Sequence, residues 1–275
     1  MVTQDPSEGS VRSADGTMIA FDRWGSGPAV ILVSGAADDG AENTPLATEL
    51  AEHFTVYNYA RRGRGRSGDT TPYAVEREVE DLAALVTEAG GAAHVYGVSS
   101  GGALALESAA AGVPISRLVV YEVPYDLSAD APQRHQEYAE TLRALLAEGR
   151  RGDAFAHAMR LWGSSEEMIE GARQSSMWSG LEALAHTLAY DAAVLGDGRP
   201  PTERLATVTQ PTLVLTGEEI AEDSAMAGLP PDFFGRSADA IAGSVPHAER
   251  RTVGGQQHVV EATTFAPEIA RFLDR

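Results

Sequence analysis

A serine set between glycines, where an apolar run gives way to a helical pattern, can serve as a nucleophile, and Gly97-Val98-Ser99-Ser100-Gly101 has that form. The strand-to-helix turn implied is so sharp that larger flanking side chains would clash, which is why glycines stand there. The serine at its tip projects above the strands, with the dipole of the following helix behind it. The register puts Ser99 at the tip and Ser100 next. There the Ser100 backbone N–H would face the oxyanion of a tetrahedral intermediate, leaving its hydroxyl a secondary role. An alcohol is a poor nucleophile at neutral pH and needs a base, normally an imidazole. Among the 7 histidines, His258, just past the last strand-like run, is the leading candidate. His53, His94, His135 and His247 read as surface or satisfied core residues, while His157 and His186 are placed to line a pocket.

Composition removes several other chemistries. The 275 residues include no cysteine, which excludes disulfides, thiolate nucleophiles and cysteine metal sites. All 21 basic residues are arginine, so no Schiff-base amine, P-loop lysine or Ser-Lys pair exists. A formal charge of -19 repels nucleic acid and anionic membranes, so neither is expected as a partner. The expected partner is a small, hydrophobic substrate, and the expected state is a monomer or homodimer. The opening MVTQDPSEGSVRS has no basic or apolar leader character, and no apolar run is long enough to span a bilayer, so a cytoplasmic location is expected. No metal-ligand spacing or dinucleotide fingerprint occurs, and no cofactor is called for.

The elements that must hold Ser99 and His258 follow from hydrophobic pattern. VRSADGTMIAFDRWG reads as a hairpin turning at Asp15-Gly16, FTVYNYARRGRGRSG reads as a strand followed by a glycine-rich loop, and AVILVSG (29–35), AAHVYGV (92–98), SRLVVYEVP (116–124), TQPTLVLTG (209–217) and AERRTV (248–253) read as further strands. Val75, Val79, Leu82, Leu85 and Val86 recur at helical spacing, with Glu76, Glu78, Glu80 and Asp81 expected mostly on the opposite face. Helices are also expected from Ala103 to Gly112, near Arg236–Gly243 and near Thr264–Phe272. Alternation of strand and helix means an α/β class with a mostly parallel, doubly wound sheet. The alternation is interrupted: residues 125–205 form an inserted helical cap, with helices around Ala139–Leu146, Ala154–Leu161 and Leu181–Leu195, dividing the core into 1–124 and 206–275.

With ILVSGAA, YNYARRGRGRSGD, YGVSSGG, YEVP and GGQQHVVE in that order, the chain resembles the α/β-hydrolase fold family over nearly its whole length, in particular actinobacterial members with a helical cap. The resemblance implies Ser99 as nucleophile, His258 as base and an oxyanion hole of the Ser100 and Ala36 backbone N–H groups. Ala36 follows Ser34-Gly35, where such proteins usually carry His-Gly, so a side chain that commonly braces this loop is missing. The usual aspartate, three residues past the glycine that ends the seventh strand, is here Ile220. Three alternatives stand for the acid. Glu122 ends an apolar strand at a position some family members use, Glu218 or Glu219 would serve on an unusual loop path, or there is no working acid. Arg61, Arg62, Arg64 and Arg66 could bind an anion, but in the family this loop's arginines pair with carboxylates.

The cap aromatics, Trp162 and Trp178 among them, read first as the cap's own core, and together with His186 as pocket lining over Ser99, which would suit a hydrophobic acyl substrate. The resemblance therefore implies a serine hydrolase of esters, lactones or thioesters acting through an acyl-enzyme. Two other readings use the same scaffold: a cofactor-free lyase, cyclase or rearrangement enzyme of natural-product biosynthesis, and a non-catalytic ligand-binding protein.

Overall fold

The computed structural model describes residues 5–218, 220–221 and 224–275. Its sheet consists of β1 (Ser7–Arg12), β2 (Met18–Trp24), β3 (Ala29–Val33), β4 (Thr55–Tyr59), β5 (Ala93–Val98), β6 (Ile115–Tyr121), β7 (Thr212–Thr216) and β8 (Ala248–Thr252), in the order β1-β2-β4-β3-β5-β6-β7-β8. The β1–β2 hairpin and the β2–β4 pair are antiparallel, and the pairs from β4 to β8 are parallel. Helices are α1 (Thr44–Leu50), α2 (Val75–Glu88), α3 (Ser100–Ala110), α4 (Ala131–Ala147), α5 (Arg151–Leu161), α6 (Glu166–Arg173), α7 (Trp178–Leu184), α8 (Leu188–Leu195), α9 (Thr202–Leu205), α10 (Phe233–Ser244) and α11 (Ala262–Leu273).

Successive side chains of a strand point to opposite faces, and here both faces are covered, which explains why the parallel strands are apolar without a break. Ile31, Val33, Val95, Leu118, Val120 and Val214 pack with residues of α2, α3 and α10. Val30, Leu32, Tyr96, Val119, Tyr121 and Leu215 pack with α1 and α11 on the other side. Chain connections diverge from β3, to β4 on one side and, after β4, to β5 on the other. The crevice at the carboxyl ends of β3 and β5 is therefore the switch point where α/β sheets hold their sites. At the outer edge β8 is only partly buried, and its charged side chains pair locally, Arg250 with Asp239 and Arg251 with Glu249.

Helices α4 to α8 form an insertion between β6 and β7, with an apolar cluster of their own that includes Tyr138, Phe155, Ile169 and Trp178. Two expectations change. The helix expected over Leu181–Leu195 is broken into α7 and α8 by a 3₁₀ turn at Ala185–Thr187, where Thr187 Oγ1 donates to Leu184 O at 2.8 Å. Side chains that bond back to the preceding turn compete with the helical ladder in this way. On α2, Glu78 and Asp81 are buried rather than turned outward. Each stands four residues before a core leucine, Leu82 and Leu85, which is the spacing of one helix face. Arg61 meets Glu78 and Arg62 meets Asp81, each at 2.7 Å.

Candidate active site

Ser99 occupies the turn between β5 and α3 with φ 55° and ψ −129°, a conformation that L side chains rarely adopt. Its amide donates to Tyr121 O at 2.9 Å, anchoring the turn to β6. The flanking glycines are required by close approach: a Cβ on Gly97 would stand 2.5 Å from Gly101 O, and one on Gly101 would collide with Ser34 O. The Ser100 and Ala36 N–H groups are given to no other acceptor among the described residues, and both residues line the same cavity as Ser99. Ser100 begins α3, where helix amides lack intrahelical partners and the dipole favours negative charge.

His258 shares that cavity. Its Nδ1 lies 2.7 Å from Glu122 Oε2, and Glu122 Oε1 accepts the Gly217 N–H at 2.9 Å. Glu122, at the end of β6, has φ 46° and is 3% exposed, so its carboxylate is held on both oxygens within the protein. The histidine loop is fixed as well. Tyr121 Oη donates to Gln257 O at 2.6 Å, the Gln256 side chain bridges Thr264 and the Glu261 amide, and Phe234 stacks on the imidazole at 5.0 Å. An Nδ1–H donated to Glu122 leaves Nε2 as the basic nitrogen. No hydrogen bond joins Ser99 to His258 among the described residues, and contacts of this kind commonly tighten only around a substrate.

Of the other candidate acids, Glu218 is exposed and tied through its amide to Gln256 O at 3.0 Å, while Glu219 lies outside the described residues. Trp162 lines the cavity. Trp178 instead packs edge-on against Phe155 beneath the Arg173 guanidinium, within the insertion's apolar cluster. His186 also stands apart from the cavity, with Nδ1 at Ala183 O and Nε2 3.9 Å from Asp69. Glu42, not singled out from the sequence, opens into the cavity. Burial and then the neighbouring Asp38 push its carboxyl above the ordinary range, with His258 opposing. Among the described residues no cluster of His, Cys, Asp or Glu could hold a metal ion.

All four loop arginines are paired with carboxylates: Arg61 with Glu78 and Asp191, Arg62 with Asp81 and Asp15, Arg64 with Asp191, and Arg66 with Asp22 and Glu8. Asp191 is the second residue missed from the sequence. The signal for it was an acid on α8 at helical spacing between Leu188 and Leu195, a buried face that demands a cationic partner.

The cavity has a volume of about 630 Å³ and a largely apolar wall that includes Trp162, Leu188, Leu195, Leu229, Phe233 and Phe234. Replacing Glu122 with glutamine keeps the size of the group but offers His258 a neutral amide. Steady-state kinetics on a p-nitrophenyl ester are expected to show kcat lowered by about 10⁴-fold, since the imidazole tautomer and the imidazolium both lose their support. A loss below tenfold would show that the pair is dispensable.

A strained serine elbow at the switch point of a mostly parallel sheet, facing a histidine on a buried carboxylate, defines the α/β-hydrolase class. The Alpha/beta hydrolase family model matches residues 30–263, and the chain belongs to the alpha/beta hydrolase family. The chain is 30% identical over 260 residues to the pimeloyl-[acyl-carrier protein] methyl ester esterase of Xanthomonas campestris pv. campestris, a match covering 86% of this chain and 90% of that protein. It is similar to the crystal structure of an alpha/beta hydrolase from Sphaerobacter thermophilus, with TM-score 0.85, 47% identity and coverage of 96% and 100% of the two chains. In fold it also matches a thermophilic esterase from Thermogutta terrifontis, with TM-score 0.70, 24% identity and 98% of each chain covered.

Proposed function

We propose that the protein is a serine hydrolase that cleaves an ester, lactone or thioester of a mainly apolar small molecule through an acyl-enzyme. The observation that carries this reading is the Glu122–His258 pair, at 2.7 Å, opening into the same cavity as the strained Ser99. In this reading segment 125–205 acts as the cap that roofs the cavity. His258 Nε2 takes the Ser99 proton as Oγ bonds to the acyl carbon, and the carbonyl oxygen becomes an oxyanion held by the Ala36 and Ser100 N–H groups. The imidazolium, stabilised by Glu122, then protonates the departing alkoxide or thiolate as its bond to the acyl carbon breaks. Water follows the same path in reverse roles, losing its proton to His258 as it attacks the ester carbon, and Ser99 leaves with that proton.

Substrate size and polarity follow from the wall. A cavity of about 630 Å³ accommodates a drug-sized molecule, and its apolar lining favours an acyl or aromatic body over a sugar or phosphate ester. The family match and the esterase named among its relatives support the ester class. A fluorophosphonate probe tests the chemistry directly. Peptide mass analysis is expected to find a single adduct on Ser99, and the adduct is expected to vanish in Ser99→Ala. Folded protein that takes up no probe at Ser99 would overturn the reading.

A further inference from the structure

We infer that Asp191, carried by the inserted helix α8, is a positioning residue that aims both donors of the oxyanion hole. This rests on the hydrolase reading above. Asp191 has a side chain only 6% exposed and accepts hydrogen bonds from three side chains, those of Ser100, Arg61 and Arg64. Its Oδ1 accepts from Ser100 Oγ at 2.8 Å and from Arg61 Nη1 at 2.7 Å, and both of its oxygens accept from Arg64 Nη2 at 2.8 Å. Arg64 passes the connection on, donating through Nη1 to Gly35 O at 2.5 Å and to Asp38 O at 3.3 Å. Arg61 Nη1 also reaches Ser34 O at 3.4 Å.

Peptide planarity turns these contacts into aim. In a trans peptide the carbonyl of one residue and the N–H of the next point in opposite directions. Drawing the Gly35 carbonyl toward Arg64 therefore turns the Ala36 N–H away from Arg64, toward the cavity that Gly35 and Ala36 line. The second donor is Ser100 itself, whose hydroxyl Asp191 holds at the first residue of α3. One carboxylate thus governs both ends of the hole, directly at Ser100 and through one guanidinium at Ala36. Because Asp191 belongs to the insertion and not to the sheet, the hole is complete only while α8 sits on α3.

Burial penalises the Asp191 carboxylate, but Arg64 and Arg61 outweigh the penalty and hold its carboxyl below the usual carboxylate range, so it is ionised in the working protein. Asp191→Asn keeps the shape and removes the charge. With a p-nitrophenyl ester, kcat is expected to fall by about tenfold to a hundredfold with KM changed less than about threefold, because misaimed donors harm the tetrahedral state rather than substrate binding. The affinity of a trifluoromethyl ketone, which forms that state on Ser99, is expected to fall in parallel, while the affinity of the product acid stays constant. Ser100→Ala, which keeps the backbone donor but cuts its link to Asp191, is expected to shift kcat in the same direction by a smaller factor.

Glu78→Gln supplies the control for a merely structural role. It weakens the same arginine cluster on the side remote from the hole and is expected to lower the unfolding temperature while leaving kcat within about twofold. Undiminished kcat in Asp191→Asn beside an active wild type overturns the positioning role alone. So does a kcat loss that Glu78→Gln reproduces at an equal fall in unfolding temperature. A wild type with no ester turnover and no labelling of Ser99 removes the hydrolase reading, and this inference with it.

Discussion

Ser99→Ala is expected to abolish ester hydrolysis, lowering kcat by about 10⁴-fold to 10⁶-fold while a product acid still binds the cavity. The magnitude follows from the loss of the covalent step. Without Oγ, His258 and the oxyanion donors can at best assist attack by a water that nothing positions. His258→Ala is expected to fall to the same floor, and the double variant no lower, since nucleophile and base act as one unit. The comparison also separates this reading from proton-transfer chemistry on the same scaffold. A lyase or cyclase that relies on His258 alone would keep turnover of its substrate in Ser99→Ala and lose it in His258→Ala. A non-catalytic binding protein would be indifferent to both. The Glu122–His258 contact at 2.7 Å, in place of an unsupported imidazole, favours the covalent route.

The largest expected effect on stability comes from Glu78. Its side chain is 1% exposed and accepts from Arg61 Nε at 2.7 Å, from Arg61 Nη2 at 2.8 Å and from Tyr73 Oη at 2.8 Å. Glu78→Ala leaves a fully buried guanidinium half unpaired and leaves the Tyr73 hydroxyl with only the longer contact to Tyr190 O at 3.3 Å. Breaking a buried pair from one side costs about 3 to 5 kcal/mol, and for a chain of this length the unfolding temperature is expected to drop by roughly 6 to 20 °C. Glu78→Gln is expected to cost less, because the amide still accepts a hydrogen bond. Acidity offers a second check. Burial disfavours the charged Glu78, but Arg61 outweighs burial and lowers its pKa below the ordinary 4.5. A lowered folded-state value means stabilisation that is present above the unfolded value and lost as pH falls through the folded one. Thermal melts are therefore expected to show the gap between wild type and Glu78→Gln shrinking as pH drops below 4.5.

What could be read from the sequence was what is decided locally. The elbow at Ser99 depends on steric exclusion within a few residues, so its glycines announce it. Glu122 was legible as a carboxylate ending an apolar strand, and the choice between it and the loop glutamates needed the position of His258, 136 residues away. The spacing of Asp191 on α8 marks a buried acid, but its partners are not legible, because Arg61 and Arg64 are joined to it across 130 and 127 residues, through the packing of an inserted helix. The burial of Glu78 and Asp81 is legible in their spacing to Leu82 and Leu85, although charge alone points them to solvent. Trp178 and His186 show what position in the chain leaves open. Position within the insertion says nothing of which helix face meets the cavity, and neither residue lines it.

The charged strand β8 has a consequence for how copies of the protein meet. An outermost strand offers a row of unpaired amides and carbonyls, an open template onto which another sheet can zip. Here any incoming strand would have to strip water from Arg250 and Arg251 and compete with the Asp239 and Glu249 carboxylates already bound to them. This edge of the sheet is thereby guarded against the addition of a further strand.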